Sequence, residues 1–184
     1  MAGHDSGPGG AELRIGIGDR LAAALLVRNH PRDVEEAIEI LTRARAQATS
    51  EPMYTNAGGA ATLATARLSR WMHTRSGRDE KKARSAYAEA FATAIIGYPL
   101  AAEQIASQRG GWAWSEGWWA EAGEAYSQAL HALHLAVRRQ ASRSHRDLIV
   151  RKAPGVAAKA ALGLARAGAD EPTSADPRTV QRPR

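Results

Sequence analysis

Ala122-Gly-Glu-Ala-Tyr-Ser-Gln-Ala129 repeats the outline of Ala83-Arg-Ser-Ala-Tyr-Ala-Glu-Ala90 and of Ala37-Ile-Glu-Ile-Leu-Thr-Arg-Ala44. Each stretch sets a small residue, a large one four positions on, and a second small one three beyond that. On an α-helix the three positions share one face, so a neighbouring helix approaches the alanines closely and wedges against the bulky side chain between them. The first alanines stand 46 and 39 residues apart. That is the period of stacked helical hairpins, units that bury their apolar faces only against one another. The expected fold is all-α, a right-handed stack of three to four degenerate hairpins forming an α-solenoid, with Ala37, Ala83 and Ala122 buried where the two helices of each hairpin cross.

Working outward, the turn chemistry repeats with the packing. Asn29-His-Pro-Arg-Asp33 precedes the first phrase, and Asp33 is expected as a helix N-cap. A helix from Tyr54 to His73 leads through Thr74-Arg-Ser-Gly-Arg78 to Asp79, which opens the second phrase's helix to Ile96. Gly97-Tyr-Pro99 is the next boundary, followed by a helix from Leu100 to Glu116, a turn at Gly117 and a helix from Trp118 to Arg138. A short helix from Asp19 to Val27 precedes these. A fourth pair is expected over 143–150 and 156–167, ended by Gly168.

At 184 residues with no cysteine, the chain suits one domain and supplies neither a disulfide framework nor a thiol nucleophile. Residues 1–12, rich in glycine, and 170–184, with three prolines among charged and small residues, are expected to be disordered tails around a folded region at 13–169. Nothing reads as a secretory signal or a membrane span, so a cytoplasmic address and no membrane partner are expected. Residues 1–129 hold 14 Lys/Arg against 15 Asp/Glu, whereas 130–184 hold 11 against 4. The basic character therefore belongs to the C-terminal third.

The hairpins resemble tetratricopeptide repeats, whose second helix opens with a glycine and an aromatic before the small-large-small phrase, as in Gly117-Trp-Trp-Ala-Glu-Ala-Gly-Glu-Ala-Tyr126. More narrowly, Leu68 to Ala83 and Asn29 to Ala44 are similar to degenerate repeats in the N-terminal arrays of actinobacterial proteins that carry a CHAT peptidase domain. Arg70, Trp71, Thr74, Asp79 and Ala83 fit that pattern, and Arg75 stands where glycine is usual. The family's peptidase uses a His-Cys pair, so a chain without cysteine has no such activity. The resemblance implies a non-catalytic protein-interaction scaffold whose first helices line a concave groove.

Counting along the repeat places Trp114, Gln104, Ser107 and Gly111 in that groove, where they are candidates for binding a protein or peptide, with Trp118 beside them. Trp119 takes the usual aromatic packing position and Trp112 packs against the preceding hairpin. His131, His134 and Arg138 share a second face of the third phrase's helix, joined by Arg139, Arg143 and Arg146. This basic face suits an anionic partner, either an acidic protein or, as the lesser alternative, nucleic acid or a phosphorylated ligand. Two histidines three apart lack the further ligands a metal needs, and no cofactor motif is present. An all-helical enzyme with a dispersed site, for example Glu124, His131 and Tyr126, is the remaining alternative.

Overall fold

The computed structural model describes residues 8–47, 53–140 and 142–170. They form seven helices: α1 (Pro8–Arg28), α2 (Pro31–Gln47), α3 (Met53–Thr74), α4 (Gly77–Gly97), α5 (Pro99–Ser115), α6 (Trp119–Arg139) and α7 (Arg143–Asp170). Every helix packs on the next in the chain, and α3 also touches α1 and α5. No strand occurs among the described residues, and no helix there is long and apolar enough to cross a membrane. α1 takes in residues 8–12, which the sequence had assigned to a tail. The expectations for 1–7 and 171–184 lie outside the described residues.

Short joints between α1 and α2, α3 and α4, and α5 and α6 share one device. Asn29, Arg75 and Gly117 have φ of 49°, 50° and 75°. This left-handed conformation ends the first helix and reverses the chain. The next helix starts two residues later, and its third residue is an acid: Asp33, Asp79 or Glu121. Carboxylates suit the positive end of a helix, and each of these pairs with an arginine, Asp33 with Arg28 at 3.1 Å, Asp79 with Arg70 at 2.7 Å and Glu121 with Arg109 at 3.0 Å. Asp33 thus lies inside its helix instead of capping it. The N-cap at the second joint is Ser76, whose Oγ accepts the Arg78 amide at 3.3 Å.

This joint sets the true register of the repeat. Ala37 and Ala83 each lie eight residues past the left-handed residue, and the position eight past Gly117 is Ala125. The third phrase in register is therefore Ala125-x3-Ala129-x2-Ala132, three residues later than the one read from sequence. Both versions are buried, as are Ala37, Ala83 and Ala122.

Alanines let the helices close in, and a few large residues fill what remains. Ala22 and Leu25 of α1 meet Ala37 and Leu41 of α2 and Leu63 and Ala66 of α3. The central core joins Trp71 of α3, Tyr87 of α4 and Trp112 of α5. Trp71 and Trp112 approach edge to face with centroids 5.2 Å apart, a favoured aromatic geometry. Burial pushes the Tyr87 hydroxyl pKa up, and a hydrogen bond with Thr65 opposes this.

The expected fourth hairpin is a single helix. α7 runs from Arg143 to Asp170 with Pro154 in its interior, so the expected gap between 150 and 156 is helical and Gly168 does not end the helix. Its first part packs Ile149, Ala153 and Val156 against Leu133, Ala136 and Val137 of α6. Further on, Gly163 meets Gly123 backbone to backbone.

Candidate functional site

The α5 residues Gln104, Ser107, Gly111 and Trp114 share one face, as their spacing of three, four and three requires. Gln104 and Gly111 are exposed, while Ser107 and Trp114 are half-buried. Ser107 Oγ donates to Glu103 Oε1 at 3.1 Å, and Glu103 is itself buried.

Trp114 is not an open anchor. Its ring meets Trp119 edge to face at 5.2 Å and Tyr126 at 6.5 Å, and the Arg166 guanidinium lies 5.4 Å above it. Trp119, the first residue of α6, is half-buried beneath the same arginine at 4.5 Å.

α7 sends two more cations toward this surface. Lys152 Nζ stands 3.8 Å from Glu103 Oε2, and Lys159 Nζ 5.3 Å from the Tyr126 ring centre. Lys152, Lys159 and Arg166 are seven residues apart, two turns each, so one side of α7 presents all three. The small residues of α5 thus lie along one side of the Trp114, Trp119 and Tyr126 rings and a row of α7 cations along the other, bounding a strip of surface, the α5 trough. Counting along the repeat named only the α5 residues beside these cations. The sevenfold spacing of the cations was its missed signal.

Trp118 belongs elsewhere. Its ring packs 5.2 Å from Trp112 and 5.8 Å from Trp71, with the Arg84 guanidinium 4.0 Å above. Trp118 therefore completes the central aromatic core and does not join Trp114. The turn at Gly117 sends neighbouring tryptophans to different clusters.

Beside it lies a hub of charge. Glu121 is buried between Arg84 of α4 and Arg109 of α5, both ion-paired to it, and Arg84 also pairs with Glu80 at 3.0 Å. Desolvation, the largest influence, lowers the Arg109 pKa, and neighbouring Glu124 opposes it. This hub ties the second hairpin to the third, as Arg70 with Glu35 and Arg45 with Glu89 tie the first to the second.

His131, His134, Arg138, Arg139, Arg143 and Arg146 are all exposed. Arg139 is engaged, donating to the Ile96 carbonyl at the end of α4 at 2.7 Å. Between α6 and α7 on this side opens an apolar slot of about 300 Å³ lined by Leu130, Leu133, Val137, Ile149, Val150 and Ala153, with His134 at its edge. A hollow of about 410 Å³ between α2 and α3 includes Glu35, Glu36, Glu39 and Arg70.

Glu124 and His131 are exposed on α6, whereas Tyr126 is buried, so the dispersed catalytic set does not converge. No group of three or more metal-binding side chains gathers among the described residues. No family model, curated protein or solved structure matches the chain.

Proposed function

We propose that the protein is a non-catalytic interaction scaffold, a right-handed stack of three tetratricopeptide-like hairpins closed by α7, which holds an acidic segment of a partner protein in the trough between α5 and α7. The observation that carries this reading is the row of Lys152, Lys159 and Arg166 leaning toward the exposed, small-residue side of α5. The shared geometry of the three turns supports the repeat character.

Gly111 lets a partner's backbone pass close to α5, and Gln104 offers it an amide. Carboxylates of the partner would draw Lys159 and Arg166 from the ring faces they now cover, exchanging cation–π contacts for charge-assisted hydrogen bonds. Recognition of this kind depends on the spacing of acids along an extended segment.

An array of unstructured 12-residue peptides graded in Asp and Glu content tests the reading. Binding that rises with acid content, and disappears in Lys159→Glu/Arg166→Glu while the circular dichroism of the protein is unchanged, supports it. Binding without regard to charge, or capture of single-stranded nucleic acid in preference to every peptide, overturns it.

A further inference from the structure

We propose that the slot between α6 and α7 is a second binding site, which seats the apolar edge of an acidic amphipathic helix from a partner protein. The site lies on a different surface from the α5 trough and stands independently of it. Its floor is apolar, built from Leu130, Leu133 and Val137 on one helix and Ile149 and Ala153 on the other. Val150, on the lining, is 52% exposed, and its neighbour Leu148 is 60% exposed, so water covers apolar surface that packing within the chain leaves open. A furrow between two helices is the shape into which a third helix lays its side chains.

Charge identifies the occupant. Arg138 follows His134 by one turn on α6, and Arg146 precedes Val150 by one turn on α7, so both border the slot. Both are exposed, and neither they nor Arg143 has an ionic partner among the described residues. A ligand with apolar residues at helical spacing and carboxylates on its flanks would satisfy floor and border together. The recess favours inserted side chains over a flat bilayer surface, and its apolar floor offers nothing to a phosphate backbone.

A displayed library of 18-residue helices, with leucine-type residues fixed at i, i+3, i+4 and i+7 and the other positions drawn from Glu, Lys, Gln and Ser, provides the test. Selection on the full chain is expected to enrich Glu. The winning peptide, fluorescently labelled, is expected to bind at least tenfold more weakly to Val150→Glu and to Arg138→Glu/Arg146→Glu. These changes fall on exposed positions, so the melting temperature should hold in both. The same peptide should bind Lys159→Glu/Arg166→Glu as it binds the unaltered chain, which separates this site from the α5 trough. No enrichment, enrichment of Lys, equal binding to the slot variants, or displacement of the peptide by phosphatidylglycerol vesicles or decanoate overturns the proposal.

Discussion

Gly163 of α7 lies against Gly123 of α6 so closely that a Cβ on Gly163 would stand 2.8 Å from the Gly123 nitrogen and 2.9 Å from its Cα. Backbone atoms cannot rotate out of the way, so the contact excludes any side chain. Gly163→Ala is expected to destabilise the docking of α7 by roughly 1–3 kcal/mol, as overpacking does. Gly155 of the same helix has open space around its Cβ position, and Gly155→Ala is expected to stabilise by about 0.5–1 kcal/mol through helix propensity. Urea unfolding of the two variants distinguishes a specific crossing from a general effect of alanine.

Arg75 holds a left-handed backbone where Gly117 occupies the matching joint. A side chain at such a position costs about 1–2 kcal/mol relative to glycine. Arg75 also pairs with Glu116 at 3.0 Å and lies 4.3 Å over Trp71, so replacing it removes something as well. Comparing Arg75→Gly with Arg75→Ala cancels the lost contacts, and the glycine variant should be the more stable by about 1 kcal/mol in thermal or urea unfolding.

The same joint explains what the sequence made legible. Two phrases were read in register because Leu41 and Tyr87 are flanked by alanines in one arrangement only. In α6 the alanines at 122, 125, 129 and 132 offer two overlapping phrases, and the one containing Tyr126 looked the better copy. Register there depends on the φ of Gly117, a property a sequence pattern does not display. A gap was expected between 150 and 156, and Pro154 within it removes a helical hydrogen bond and crowds the preceding turn, yet α7 continues through it with Ile149 buried on one side and Ala160 on the other. The α5 residues Gln104, Ser107, Gly111 and Trp114 were named by counting along the repeat pattern, and their spacing puts them on one helix face. The α7 half of the trough needed the crossing at Gly163, which brings Arg166 over Trp114 and Trp119.

Glu121 neutralises arginines from two other helices. Glu121→Gln keeps its shape but leaves Arg84 and Arg109 without their shared carboxylate. The expected loss is about 2–3 kcal/mol, less than the roughly 3–5 kcal/mol of a fully enclosed pair, because the Arg84 side chain remains 33% exposed. Denaturant unfolding measures the loss, and the contact between the second and third hairpins should open first in hydrogen exchange.

Asp19 faces Gly59 across the α1–α3 contact, where burial raises its carboxyl pKa above 3.8. A raised folded-state pKa means that the fold favours the protonated acid, so its contribution is fully present below the unfolded pKa and is lost as pH rises through the folded one. Asp19→Asn is expected to melt higher than the unaltered chain at pH 7, with the difference vanishing toward pH 3. Melting curves across that range check the sign.

Recognition in the trough is tested most directly at Gly111, whose Cβ position meets only the Tyr126 hydroxyl, at an ordinary 3.8 Å. A Cβ sits there in ordinary contact, and exchanging an exposed helical glycine for leucine is expected to stabilise the chain by about 0.5–1 kcal/mol. The leucine side chain would also obstruct the side of α5 along which the acidic segment is proposed to lie. Isothermal titration of Gly111→Leu with the tightest acidic peptide from the array should therefore show at least a tenfold loss of affinity in a protein no less stable than the original. Unchanged affinity in that variant would contradict the account.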